Sequence, residues 1–249
     1  MVPHRTAGRA VACLLAALAL VASACSEDAE DLPEAGTLLD RASAAAAEVT
    51  SARFTLHATG DVPGLTVQAI EGDLTTEGGP YGAAQGTATL SVGGQLVESE
   101  FVLHSETLHL ETPGGGFQEI RADRVAAIYD PSAVLDPERG VANLLTQVRE
   151  AETVGTETVD GTATYEVDGT VAHEAFAELI PGVTSDAEIT LWLTEEGDHL
   201  PVRVSLTFPD AESAEDADTA DTDDAPTVEV TLSQVNEPVT VSPPESGGE

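Results

Sequence analysis

The chain contains no lysine; its nine basic residues are all arginines, set against 45 aspartates and glutamates, for a formal charge of -36. So large an acidic excess argues against nucleic acid as a partner, because phosphates would be repelled rather than neutralised. It suits an exported body kept apart from its neighbours by like charge. A compositional leaning toward Asp and Glu accounts for it equally well, so charge alone names no partner. Aromatic residues make up only 4%, with Trp192 the sole tryptophan. Cysteine is limited to Cys13 and Cys25. Cys13 lies inside an apolar run, and removal of that run on export leaves one thiol and no intramolecular disulfide. The run itself, about Ala10 to Val21, falls short of the roughly 20 apolar residues that a membrane-spanning helix needs.

Signatures of chemistry are missing too. The chain has no G-x-S-x-G, no P-loop and no G-x-G-x-x-G. "HEAFA" opens like a zinc-binding helix but carries Ala177 where the second histidine is required, which leaves His173 and Glu174 as a helix start. His57, His104 and His109 fall in strand patterns and read as surface or strand-edge residues. The acidic stretch from Asp210 to Asp224 lacks the spaced glycine and closing glutamate of a calcium loop. These absences point away from an enzyme, a metal centre or a bound cofactor.

What is present begins at the N-terminus. Arg5 and Arg9, the apolar run and the small residues Ala22, Ser23 and Ala24 form the three parts of a secretory signal. A signal that ends small-small-Cys at Cys25 resembles the bacterial lipobox, although Ala22 replaces the usual leucine. That resemblance implies removal of residues 1–24 and acylation of Cys25, which anchors the protein to the outer face of the plasma membrane. Residues 25–35 then read as an acidic flexible tether. One domain is expected over 36–242, with a disordered polyanionic insert at 210–225 and a disordered tail at 243–249.

Within the domain, Leu38, Leu39, Ala42, Ala46 and Val49 recur at helical spacing and predict a helix from about Ala35 to Val49. Strands follow. Phe54, Leu56 and Ala58 alternate with Thr55, His57 and Thr59, and a second strand through "LTVQAIEGDLTT" changes phase near Ala69 and Ile70. Ala88, Leu90 and Val92 climb one face to a Gly93-Gly94 turn, and Val97, Ser99, Phe101 and Leu103 return on it. "TLHLET" adds a strand. Asp130-Pro131 and Asp136-Pro137 announce a short helical turn and a longer helix over about Gly140 to Ala151, striped by Val141, Leu144, Leu145 and Val148. Strands resume around an Asp160-Gly161 turn, a short helix stops at Pro181-Gly182, two strands flank Gly197-Asp198, and "TVEVTLSQVNEPVTV" predicts a last pair. The architecture is α+β and predominantly antiparallel. A sheet faced with small aliphatics can curl around an apolar hollow; the alternative is a flatter sheet fully covered by its helices.

"VPGLTVQAIEGDLTT", "GTATLSVGGQLVESEFV", "AIYDPSAVLDPERGVANLL", "LWLTEEGDHLPVRVSL" and "VEVTLSQVNEPVTV", in that order, resemble the actinobacterial LppX/LprAFG lipoprotein family, nearest its LprG branch, from about Leu38 to Val241. The acidic insert stands outside the family pattern. The resemblance implies a strongly curved antiparallel β half-barrel with helices packed on its concave side, enclosing an apolar cavity for the acyl chains of triacylglycerol or glycolipids. It implies transfer of such lipids from the plasma membrane toward the outer envelope, in some members beside a major-facilitator transporter. With so little positive charge, neutral or glycosylated lipids are the expected cargo. One cavity wall is then expected from Phe54, Leu56, Ala88, Leu90, Val92, Val97, Phe101 and Leu103. A second comes from Ile189, Leu191, Leu193, Val202, Val204 and Leu206, and Leu144, Leu145 and Val148 stand on a covering helix. The competing expectation is a solid-cored surface lipoprotein that modulates an envelope transporter or sensor.

Overall fold

A computed structural model describes residues 32–112, 114–126, 131–209 and 225–244. The leader, Cys25, the Tyr129-Asp130 pair and the polyanionic stretch 210–224 lie outside the described residues. The described residues from Pro33 onward form one compact unit, and both buried clusters lie within it, so a chain starting at Ser26 keeps every described core residue.

The strands are β1 (Ser51–Thr59), β2 (Val67–Thr75), β3 (Ala83–Val92), β4 (Gln95–His104), β5 (Thr107–Glu111), β6 (Phe117–Arg121), β7 (Arg149–Val159), β8 (Thr162–Val171), β9 (Ala187–Thr194), β10 (Pro201–Thr207) and β11 (Thr227–Ser233). They form one antiparallel sheet in the order β6-β5-β4-β3-β2-β1-β11-β10-β9-β8-β7. The first six strands meander outward from the centre to one edge. The chain then crosses to the opposite edge and meanders back, until β11 pairs with β1 from Arg53↔Ser233 to Thr59↔Thr227.

Local chemistry explains the tightest turns. Gly93-Gly94 (φ 60° and 80°) and Asp160-Gly161 (φ 48° and 86°) take the left-handed conformations of a two-residue hairpin turn. The expected irregularity in β2 is a register shift between Val67 and Ala69. At the centre of the first half, Gly72 pairs with Gly86 between Phe54 on one side and Phe101 on the other. A Cβ on Gly86 would run into the Glu71 carbonyl oxygen and come within 2.7 Å of the Gly72 Cα. Two glycines here let neighbouring backbones approach closely. Gly86→Ala is therefore expected to cost about 1–3 kcal/mol through overpacking, read as a lower urea midpoint. Gly155→Ala, where an added Cβ meets nothing within 4 Å, serves as the control and should leave that midpoint nearly unchanged.

Three α-helices accompany the sheet among the described residues: α1 (Ala35–Ala46), α2 (Ala122–Ala126) and α3 (Val141–Thr146), with short 3-10 turns at Pro131–Leu135 and His173–Ala175. Leu38, Leu39, Ala42 and Ala46 face inward from α1, as their spacing predicts. Val49 is buried beyond the end of the helix. The Ser43 hydroxyl donates to the Ala142 carbonyl at 2.8 Å and ties α1 to α3. The larger buried cluster joins α1 and α3 to Val167, Ile189, Leu191, Leu193, Val204 and Leu206 on the sheet. The smaller gathers Val49, Ala52, Leu74, Ala84, Leu103, Ala122 and Leu135.

Several expectations need correction. The helix predicted to reach Ala151 ends at Thr146, and the chain is already a strand at Arg149. Val148 consequently lies off the helix and fits over Gly169 of β8, where a Cβ would come within 2.6 Å of its Cγ1. Strand pairing to β8 outweighs the weak helical preference there. The last strand pair is a single strand, β11. Both of its edges are occupied by β1 and β10, so "PVTV" has no partner position. The chain turns at Asn236 (φ 60°), whose side chain accepts the Thr50 N–H at 2.8 Å. Strand β6 is not expected from sequence: its two large apolar residues, Phe117 and Ile120, are three apart and fall on opposite faces, so no alternation marks it.

Candidate functional site

An apolar seam runs between the sheet and its helical cover. Leu56 of β1, Val204 and Leu206 of β10, and Val228, Val230 and Leu232 of β11 form its floor. Val134, Val141, Leu144, Phe176, Leu179 and Ile180 form its roof. The floor follows from register. Leu56 pairs with Val230 and Val230 with Val204, so their side chains emerge on one face of adjacent strands. Every lining residue is apolar.

The seam is narrow, with a volume of about 60 Å³. Ligand pockets usually span about 300–1,000 Å³, so the roomy cavity expected from the resemblance is not open in this structure. Its would-be space is filled by the segment that follows the 3-10 turn at His173–Ala175. Phe176 is fully buried and meets Phe208 edge-on, with ring centroids 6.1 Å apart. The Ile180 N–H reaches back to the Phe176 carbonyl at 2.9 Å, which winds Leu179 and Ile180 over the floor.

Of the residues assigned to the cavity by sequence, the seam gathers Leu56, Leu144, Val204 and Leu206. Leu145, Ile189, Leu191 and Leu193 are packed in the larger cluster around it. Phe54, Phe101 and Leu103 belong to the smaller cluster. Ala88 is buried, and Leu90 and Val97 are half-buried on the same face. Val92 is 59% exposed beside the turn, because the alternation of β3 continues past the end of its cover. Val202 sits at a register shift between Pro201 and Arg203, which takes it out of the row formed by Val204 and Leu206. The floor residues Val228, Val230 and Leu232 show plain alternation in sequence. Their importance escapes notice because the β1–β11 pairing spans almost the whole domain.

Charged groups stand around the seam rather than in it. The Asp136 carboxylate accepts the Glu138 and Arg139 N–H groups at 2.9 and 3.2 Å and pairs with the Arg139 guanidinium at 3.0 Å. Arg139 also reaches Glu178 at 3.2 Å. This clasp ties the chain just before α3 to the segment carrying Leu179. Partial burial acts to raise the Asp136 pKa, but the Glu138 N–H and the Arg139 side chain outweigh it and hold the group below its usual value. A carboxylate with a lowered folded pKa contributes stability above its unfolded pKa and loses it as pH falls through the folded one. Asp136→Ala is accordingly expected to cost about 0.5–2 kcal/mol at neutral pH. In urea titrations the gap from wild type should close once pH drops below the depressed Asp136 pKa.

His173, Glu174 and Asp186 come close enough to suggest a metal cluster. Their arrangement is explained by capping: Asp186 accepts the His173 backbone N–H at 3.0 Å and lies 3.2 Å from its Nδ1. On the opposite face of the sheet, Arg203 lies over the Trp192 ring at 5.2 Å, and the Trp192 indole donates to Glu157 at 2.6 Å. No helix among the described residues is long and apolar enough to cross a membrane.

An open, curved antiparallel sheet with a few helices on its apolar face and an all-apolar seam beneath them defines a single-sheet fold of the lipoprotein kind. LprF from Mycobacterium bovis shares that fold, with a TM-score of 0.71 at 23% identity over 86% of this chain and 97% of its own. Lipoprotein LppX from Mycobacterium tuberculosis matches at 0.59 and 21% identity, over 83% and 98%. In sequence, the lipoarabinomannan carrier protein LprG of Mycolicibacterium hassiacum is 34% identical over 241 residues, 94% of this chain and 96% of that protein. The model of the LppX_LprAFG lipoprotein family matches residues 34–241. The chain belongs to the LppX_LprAFG lipoprotein family.

Proposed function

We propose that this protein is a lipid-binding and lipid-transfer lipoprotein. It is anchored through Cys25 to the outer face of the plasma membrane and carries acylated lipids, triacylglycerol or a glycolipid, toward the outer envelope. The observation that carries the reading is the seam, a continuous slot with no polar side chain in its lining. The name of the LprG relative as a lipoarabinomannan carrier supports a glycosylated cargo. No bond is made or broken in this mechanism. Acyl chains enter by lifting Leu179, Ile180 and α3 from the floor, and each buried methylene returns about 0.8 kcal/mol. Transfer onward involves a membrane partner such as a major-facilitator transporter.

A second reading rests on the small volume of the seam: a solid-cored surface lipoprotein that modulates an envelope transporter without carrying lipid. Vesicle-to-vesicle transfer separates the two. The chain from Ser26, mixed with donor vesicles holding fluorescent triacylglycerol and unlabelled acceptors, should speed transfer in proportion to protein concentration. Transfer at the rate of vesicles alone would leave the solid-cored reading in possession.

A further inference from the structure

We infer that the β3–β4 hairpin tip is a bilayer-contacting element, which docks the open end of the apolar face on a lipid surface. Among the described residues, the exposed large apolar side chains are Val92 at 59%, Leu96 at 69% and Val154 at 45%. Two of these three flank a single turn. The tip also projects beyond its neighbours. Strand β2 pairs with β3 as far as Leu90, the Ser91 N–H makes one more bond to the Thr66 carbonyl at 2.8 Å, and β5 joins β4 only from Phe101. A Cβ placed on Gly93 or Gly94 would meet nothing within 4 Å.

The chemistry of the tip fits a bilayer better than a protein. From Gly78 to Val97 the chain carries no charged residue, although 22% of all residues are charged. In a body of charge -36, this is a segment that can leave water without stripping an ion of its hydration. The backbone at the turn is already paired, Val92 with Gln95 across Gly93-Gly94, so apolar surroundings impose little loss of hydrogen bonding. Tyrosine, tryptophan and arginine, the usual anchors of protein interfaces, are absent from the turn. Two aliphatic side chains on opposite faces of a thin ribbon offer little shape for a protein to recognise, while a bilayer asks only for apolar area.

The tip is also continuous with the proposed cargo route, and here the inference rests on the lipid-carrier reading. Val92 shares a face with Leu90, Val97 and Ala88; Ala88 pairs with Ile70, and Ile70 with Leu56 on the floor of the seam. An acyl chain leaving a bilayer at the tip would meet apolar side chains along that whole path.

The test uses the chain from Ser26, so that no lipid anchor adds to binding, and phosphatidylcholine vesicles. Leu96→Asp changes an exposed side chain, and its urea midpoint should match wild type. Wild type is expected to float with the vesicles, and Leu96→Asp to lose at least fivefold of that association and of vesicle-derived triacylglycerol uptake. Uptake from detergent micelles should be the same for both. Equal flotation of the two proteins overturns the tip assignment, whatever the cargo results. Loss of self-association in Leu96→Asp, without any vesicle binding by wild type, would assign the tip to a second copy instead and equally overturn it. Tip-dependent flotation with no lipid taken up from either source would sink the carrier reading alone.

Discussion

Phe176→Ala is expected to lower the unfolding free energy by about 3–5 kcal/mol, the range for emptying a buried aromatic site. Phe176 is fully buried, contacts Phe208 edge-on and lies at the junction of the roof and the larger cluster. Its backbone holds the turn as well, accepting the Ile180 N–H and donating to the His173 carbonyl at 3.2 Å, so those bonds survive the substitution. The loss is therefore one of packing. Collapse of the site is limited because its neighbours Leu144, Val204 and Leu206 are fixed by α3 and by sheet register. Urea denaturation should show a lower midpoint with an unchanged slope, and Phe176→Leu should recover much of the loss. The space vacated opens onto the seam, so this variant combines lost stability with added room. A change below about 1 kcal/mol, the ordinary effect of a surface substitution or little more, would mean that the roof does not pack as described.

Val230→Trp is expected to abolish lipid binding while leaving the chain folded. Val230 is flanked on the floor by Leu56 and Val204, at the middle of a seam of about 60 Å³. A tryptophan there would occupy the path proposed for an acyl chain. Overpacking should cost about 1–3 kcal/mol, which a domain of ordinary stability survives. Lipid recovered with the protein after incubation with triacylglycerol vesicles is expected to fall at least tenfold. Val154→Trp, on the edge strand β7 where Val154 is already exposed, controls for bulk and should retain its lipid. If the two variants hold equal amounts, the seam is not the binding site.

The parts of the fold legible in the sequence are those fixed by neighbours in the chain. Gly93-Gly94 and Asp160-Gly161 specify their hairpins because few other residues tolerate the required backbone angles, and the apolar stripe of α1 specifies its buried face. What escaped was set by contacts distant in sequence. The pairing of β11 with β1 and β10 places Val228, Val230 and Leu232 at the floor of the seam and leaves β11 no free edge for the segment that follows it. The slot at Gly169 draws Val148 out of the expected helix. Alternation assigns a face, but not the point where cover ends, which is why Val92 was expected inside and stands in solvent. The seam itself was half legible: aliphatic strand faces announced an apolar interior. How much of it Phe176, Leu179 and Ile180 fill depends on where the segment after β8 lands, and no local pattern records that.

Carriage of lipid requires the floor and roof of the seam to part and admit acyl chains. Native mass spectrometry tests it most directly, on the chain from Ser26 produced in an actinobacterial host and purified without detergent. The expected spectrum holds species heavier than the bare chain by the mass of one multiply acylated lipid, reverting to the bare mass after organic extraction. A single species at the bare mass, from cells rich in such lipids, would contradict lipid carriage.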